Sequence, residues 1–415
     1  MAMKIQFLGG AEEVGRMAML YENGVSMLFD YGFAPTKPPQ FPQKVPDNVK
    51  IKDVFLTHAH LDHSGMLPWL SARHRPRIMA TEPTIAVSDI LLHDCLNVWA
   101  YEGNPQPYGE EEIEETMRSF VPIRYGMHIF VDDKEIIPHP AGHIPGSAMY
   151  EIRDGDTTVL FTGDINTIAT RLMKPTHPIS ADVLIIESTY AGREHMSRDR
   201  IEYEFLSKVE EVVDRGGKVI VPAFAVGRTQ EMMLLLHNRG YEIWLDGMGK
   251  TVNKIYFRYP EYIKNLKALK KAKKDVRVVH SPKGREKALR FADVILTTSG
   301  MLDGGPVLWY IDKIKDDKKN AILLTGYQVE GTNGRMLLNE GKLEIYGAVE
   351  RVKCEVGFFD FSAHAGHSQL LDFIKGCKPE VVVLCHGDNR EALAAELDDM
   401  NVYVPKNCET VMLDI

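Results

Sequence analysis

His58-Ala59-His60-Leu61-Asp62-His63 places four metal-binding side chains within one short turn. Three imidazoles and a carboxylate held this close repel or desolvate one another unless a cation neutralises the carboxylate and takes up the ring lone pairs. A lone histidine is most simply an exposed or hydrogen-bonded core residue, but a cluster of this density is hard to keep for structural reasons. Side chains two apart on an extended segment point the same way, so His58 and His60 share one ion, while Asp62 and His63, beyond the bend, face a second.

Outward from this turn, a short apolar run repeatedly precedes a residue with useful chemistry: Ser26–Phe29 before Asp30, Val54–Thr57 before His58, Val159–Thr162 before Gly163-Asp164, Val183–Ile186 before Glu187, and Val381–Cys385 before His386. Each run reads as a strand buried on both faces. Layered sheets with helices outside leave an edge where strand ends converge, and loops there collect ligands far apart in sequence. His143 lies in a loop fixed by the glycines and proline of Ala141-Gly142-His143-Ile144-Pro145-Gly146-Ser147. Asp164 is suited to bridge two cations, because a carboxylate has two oxygens and a neutral imidazole cannot bridge. The expected sets are therefore His58, His60, His143 and Asp164 on one ion, with Asp62, His63, Asp164 and His386 on the other; Asp30 orients a ligand without binding metal. His74, His93, His128, His195, His237 and His280 lack such settings and read as surface or core residues.

A chain of 415 residues exceeds what one hydrophobic core usually supports, so two domains are expected. Hydrophobic and charged fractions of 44% and 26% are those of a globular protein. No terminal stretch resembles a signal or transit peptide and the apolar runs are strand-length, which points to the cytoplasm. Five dispersed cysteines without a C-x-x-C pair fit reduced thiols and leave any metal on nitrogen and oxygen. A net charge of -9 counts against nonspecific coating of nucleic acid. Between Lys250 and Arg290, however, basic residues outnumber acidic ones several-fold, as a solvated face or as a surface that attracts phosphates. Glu110, Glu111, Glu112, Glu114 and Glu115 predict an exposed acidic helix.

With His143 and Asp164 following in matching order, His58 to His63 resembles the H-x-H-x-D-H signature of the metallo-β-lactamase superfamily, which holds lactamases, glyoxalases, flavoproteins, sulfatases and nucleases. Ile185-Ile186-Glu187-Ser188-Thr189-Tyr190 is similar to the acidic motif that opens the β-CASP nuclease insertion, Phe361-Ser362-Ala363-His364-Ala365-Gly366-His367 to its histidine motif, and Leu384-Cys385-His386-Gly387 to the closing one. The segments 221–231, 298–306 and 326–335 are also similar to parts of that insertion. The Ser-Ala-His form looks most like the catalytic subunit of the cleavage and polyadenylation specificity factor and its archaeal relatives. Nothing like a KH domain precedes the first strand and no long tail follows His386, which reads as a catalytic core of the shorter archaeal type. The resemblance implies an α/β chain: a metallo-β-lactamase αββα sandwich over residues 1–190 and 347–415, with an inserted β-CASP domain over 191–346 built on a mostly parallel sheet. Strands are expected at 218–221, 241–245, 294–297 and 321–324, a helix at 231–238, and a polymer channel between the two domains.

The resemblance further implies a metal-dependent ribonuclease acting in RNA 3′-end processing, maturation or decay, as an endonuclease, a 5′-exonuclease or both. Two zinc ions are the expected cofactors, with manganese or iron compatible with the ligand types. Asp62, Glu187 and His364 are the expected catalytic residues, with His364 as general acid and Glu187 orienting it. Ser299, Gly300, Arg228, Arg335 and Ser362 are candidate phosphate contacts through hydroxyls, close backbone approach and forked guanidinium bonds. RNA is the expected partner, other RNA-processing proteins are further ones, and the 402–411 segment resembles a tail through which archaeal relatives form dimers. The competing readings are an RNA-binding scaffold with a dead site, and a hydrolase of DNA, thioesters or lactams on the same metals.

Overall fold

The computed structural model describes residues 3–413. The chain forms two compact units: Met1–Ala169 with Pro175–Glu194 and Ala363–Ile415, and Thr170–Lys174 with His195–Ser362.

Two seven-stranded mixed sheets form the first unit. One runs, in spatial order, Thr410–Leu413, Met3–Gly9, Ala18–Glu22, Ser26–Phe29, Asp53–Phe55, Arg77–Thr81 and Phe120–Ile123. The other runs Asn401–Tyr403, Val381–Cys385, Val183–Glu187, Thr157–Phe161, Ala148–Asp154, Lys134–Pro140 and Ile129–Val131. Alternate residues of both sheets face a shared core, where Phe29 stacks on Phe55 with ring centres 5.3 Å apart and meets Phe161 edge-on at 5.5 Å. Each such ring removed from water contributes about 1.5–3 kcal/mol. Tyr150, buried among these rings, donates its hydroxyl to the Leu56 carbonyl at 2.7 Å and so ties the sheets together. The opposite faces are covered by helices: Leu67–His74, Glu82–Glu102 and the acidic Glu110–Ser119 on the first sheet, and His367–Cys377 on the second. The order of layers is helix, sheet, sheet, helix.

Five strands carry the chemistry, and they are parallel within their sheets. Ser26–Phe29 pairs with Asp53–Phe55, and Val183–Glu187 lies between Thr157–Phe161 and Val381–Cys385. Their carboxyl ends deliver Asp30, Thr57 and His58, Asp164, Glu187 and His386 to one rim.

The second unit holds a six-stranded sheet in the order Val276–Val278, Ile243–Asp246, Val294–Thr297, Val219–Pro222, Ala321–Leu324 and Glu355–Phe358. Every pairing in it is parallel, where a mostly parallel sheet was expected. Ile220, Ile295 and Ile322 pack on helices Pro306–Ile314 and Asn333–Glu340, while Val219 and Val221 are buried on the other face. Two strands of this sheet differ from the expectation. Val276–Val278 and Glu355–Phe358 lie at its edges, where half-exposed residues such as Glu355 and Arg277 break the apolar run that marks a central strand. Because Glu355–Phe358 pairs with Ala321–Leu324, the second unit continues past the expected boundary at 346 to Ser362.

Candidate metal centre

Leu61–Ser64 forms a single helical turn, so His58 and His60 project before the bend and Asp62 and His63 after it. Gly32 makes room for this turn: a Cβ on Gly32 would lie 1.9 Å from the Asp62 carbonyl carbon and oxygen. Main-chain bonds from Tyr31 to the His63 carbonyl and from Phe33 to the Leu61 carbonyl, 2.7 and 3.0 Å, hold the two segments together.

Two donor sets meet at Asp164. His58 Nε2 lies 3.0 Å from His60 Nδ1, and His143 Nε2 lies 3.2 Å from the same atom. Asp164 Oδ2 is 3.5 Å from His58 Nε2 and 3.7 Å from His143 Nε2. Its other oxygen, Oδ1, is 3.4 Å from His63 Nε2 and 3.7 Å from His386 Nε2. Asp62 Oδ2 completes the second set at 3.7 Å from His63 and 3.8 Å from His386. Ligands about 2.0–2.1 Å from a tetrahedral zinc lie about 3.3 Å from one another, so these spacings suit first-row cations.

The outer ring nitrogens are tied down in a way that aims the inner ones. The Thr57 amide and hydroxyl both donate to Asp30, at 2.7 and 2.8 Å, and His63 Nδ1 donates to Asp30 Oδ2 at 2.7 Å. With its proton committed to Asp30, the Thr57 hydroxyl accepts from His58 Nδ1 at 3.1 Å. His143 Nδ1 donates to the Ala363 carbonyl at 2.9 Å. The inward nitrogens of His58 and His143 thus present lone pairs, the usual consequence of a hydrogen bond on the far side of a ligating ring, and the same bond aims His63 Nε2 at Asp164. Asp30 and His386 both have positive φ, 58° and 51°, a conformation kept where surrounding structure enforces it.

Several buried atoms of the site make no hydrogen bond. His63 Nε2, Asp164 Oδ1 and both ring nitrogens of His386 are buried without a hydrogen bond. Such orphaned atoms are costly unless a cation occupies the space they surround. Electrostatics point the same way. Burial holds His58, His60 and His143 below the ordinary histidine value, leaving neutral rings. Burial also disfavours charge on His63, but the Asp164, Asp62 and Asp30 carboxylates outweigh it and hold the ring well above its usual value. Asp164, which burial would raise, is held well below the carboxylate range by His63, His386, His364 and His58. Without metal, protons supply the positive charge that this pocket demands.

Beside the two sets lies a third cluster. Glu187 is buried, accepts the Ile165 amide at 2.7 Å, and receives His364 Nδ1 at 3.0 Å. His364 Nε2 faces Asp164 Oδ2 at 3.9 Å. Burial opposes charge on His364, but Glu187 and Asp164 outweigh it and push the imidazole up to about 9.

The structure therefore brings Asp30, His58, His60, Asp62, His63, His143, Asp164, Glu187, His364 and His386 together in the first unit. The remaining candidates lie in the second unit. Arg228 opens the helix Arg228–Leu236, Ser299 and Gly300 sit in the loop after a parallel strand, and Gln328 donates to the Gly300 carbonyl at 3.2 Å. A Cβ on Gly300 would meet the Phe224 amide at 3.0 Å, so this glycine serves contact between loops. Arg335 is bound by Glu330 at 2.6 Å, and the Ser362 amide donates to Asp360 at 3.0 Å. Thr57 and the Ala363 carbonyl, which hold His58 and His143, are site groups absent from the sequence-based expectation. Thr57 was visible as a polar residue directly before His58; a backbone carbonyl leaves no signal. Three histidines expected to be ordinary are engaged elsewhere: His93 with Glu110, His128 with Glu135 and His237 with Asp275.

Family models match three segments: a metallo-beta-lactamase superfamily model over residues 13–223, a Beta-Casp domain over 229–337, and a Zn-dependent metallo-hydrolase RNA specificity domain over 349–405. The chain is 37% identical to RNase aCSPSF2 of Saccharolobus solfataricus, covering 99% of this chain and 85% of that protein. It is 36% identical to Probable RNase MJ4 of Methanocaldococcus jannaschii, covering 94% of each. Transcription termination factor FttA of the same organism is 33% identical over 98% of this chain and 71% of its own length. A solved protein of unknown function from Enterococcus faecalis shares the fold, with a TM-score of 0.63 at 14% identity over 100% of both chains.

Proposed function

Because the chain belongs to the metallo-β-lactamase superfamily, in its β-CASP ribonuclease branch, we propose that it cuts RNA phosphodiester bonds using two zinc ions held by its own histidines and aspartates. The observation that carries this reading is the division of Asp164, whose two oxygens face two separate donor sets. His58, His60, His143 and Asp164 would hold one cation, and Asp62, His63 and His386 with Asp164 the other.

A bound pair supplies ionised water at neutral pH and offsets the charge that develops on the phosphate. The chain's own groups do the rest. Asp62, whose side chain is 25% exposed against 3% for Asp164, is the carboxylate that incoming water reaches, and it orients that water and accepts its proton. Glu187, fixed by the Ile165 amide, holds His364 through Nδ1, so the Nε2 proton is directed to the departing oxygen. Arg228, Ser299, Gly300, Arg335 and Ser362 of the second unit are the candidate phosphate contacts, Arg335 by exchanging Glu330 for a phosphate oxygen. Endonuclease and 5′-exonuclease modes share this chemistry and differ in how a 5′ end is received.

The five cysteines are free thiols, which suits a cytoplasmic setting, and no helix among the described residues is long and apolar enough to cross a membrane. A homodimer through the C-terminal segment fits its two edge strands, Asn401–Tyr403 and Thr410–Leu413, the latter exposing Met412.

The test combines zinc analysis with cleavage of labelled RNA, single-stranded DNA and a thioester, followed by product-end mapping on 5′-triphosphate and 5′-monophosphate RNA. About two zinc ions per chain and preferential RNA cleavage are expected. Two bound metals with RNA left intact across several metals and pH values would replace catalysis with a binding scaffold.

A further inference from the structure

We infer that the edge of the six-stranded sheet carries an RNA-docking face, built by helix Leu266–Lys274, edge strand Val276–Val278 and helix Pro282–Phe291. This rests on the ribonuclease reading for the identity of the polyanion. Between Lys250 and Arg290, fourteen lysines and arginines stand against three acids, in a chain whose net charge is -9. A polyanion approaching such a chain needs a locally positive surface.

Part of the local charge is balanced within the unit. Arg277 pairs with Glu242 at 2.5 Å, Arg285 with Asp246 at 2.7 Å, and Asp275 is taken by His237. Lys267, Lys270, Lys271 and Lys274 are different. They follow one another at i, i+3, i+4 and i+7, all are exposed, and none has an ion-pair partner among the described residues. Leu269 and Ala272 fill the opposite side of the helix and are fully buried. Lysines at these spacings are neighbours on the helix surface and repel one another. The helix dipole favours Lys271 and Lys274 in the last turn, but it gives no reason for Lys267 in the first turn or for Lys270 after it. A bound polyanion relieves the repulsion along the whole stripe.

Past the edge strand, Ser281 caps the second helix by accepting the Gly284 amide at 3.2 Å, and Lys283 and Lys287 are exposed on it. Its last residue, Phe291, is 55% exposed, with the Arg290 guanidinium 5.1 Å from the ring centre. Exposed point charges in a line on one helix and a half-exposed ring at the end of the other suit a single strand that wraps the sheet edge, its phosphates meeting lysines and a base meeting the ring. A protein partner is disfavoured, because lysine is depleted from protein interfaces and no apolar anchor accompanies the stripe on its helix.

The test replaces Lys267, Lys270, Lys271 and Lys274 together, once by glutamine and once by arginine. Binding of a phosphorothioate RNA about 30 nucleotides long, which keeps the charge and resists hydrolysis, is followed by fluorescence anisotropy across a salt series. The glutamine variant is expected to bind at least about tenfold more weakly at low salt, with the log–log salt slope shallower by about 3 for four lost contacts. The arginine variant is expected to retain both values, which general damage to the helix would not allow. Unchanged affinity and slope in the glutamine variant overturn the proposal. Wild-type protein that binds polyglutamate as tightly as RNA of equal charge overturns it in favour of an acidic protein partner. Binding is read without cleavage, so protein that binds through these lysines yet cuts no RNA removes the catalytic reading alone.

Discussion

His143 is held at both ends: Nδ1 by the Ala363 carbonyl, Nε2 against His60 and Asp164. One loop therefore does two jobs, since the backbone of Ala363 aims a ligand while the side chain of His364 pairs with Glu187. Truncating His364 leaves the carbonyl in place. We predict that His364→Ala retains about two metals per chain while kcat on RNA falls by about 10²–10⁴-fold. Metal analysis and single-turnover cleavage check this, and a rate within a few-fold of wild type removes His364 from the proton-donor role. At this scale the candidate donor cluster is legible, because imidazoles and carboxylates at short spacing are chemically costly to keep idle. The groups that aim them are less so: Thr57 reads as the end of a strand, and the Ala363 carbonyl has no residue identity to read.

The turn at His58–His63 is positioned by its contact with the segment after Ser26–Phe29, and Gly32 is where the two backbones touch. Adding one methyl there places a carbon 1.9 Å from Asp62 main-chain atoms, which cannot yield without moving both Asp62 and His63. Gly32→Ala is expected to cost about 1–3 kcal/mol through overpacking and to lower bound metal below one ion per chain. Thermal unfolding and metal content are the readouts; a variant with full metal content would show that the turn is not anchored at Gly32. Central strands such as Val183–Glu187 and Val381–Cys385 were plain in the sequence, because helices or sheets cover both faces and every position is apolar or functional. Val276–Val278 and Glu355–Phe358 were not, because an edge strand needs only half its side chains buried and its register comes from a neighbour distant in sequence.

Bound metal is expected to stabilise the folded chain, since the candidate donors come from residues as far apart as His58 and His386 and exist as a set only when folded. Each tenfold rise in free zinc above the dissociation constant is expected to add about 1.4 kcal/mol per site to unfolding. Chelation should lower the apparent Tm, and zinc should restore it in a concentration-dependent way; a Tm indifferent to both would mean that the histidines hold no ion. Before any folding, the primary structure determined the chemistry on offer: which residue types ligate, their clustering in short motifs, and the buried strands that end in them. Only the tertiary structure decided which motifs meet, that Asp164 turns one oxygen to each donor set, and that the second unit runs on to Ser362. The reason is physical. Residue type sets what an atom can bind, whereas the direction of a lone pair is set by the hydrogen bond on its far side, and that partner comes from another part of the chain.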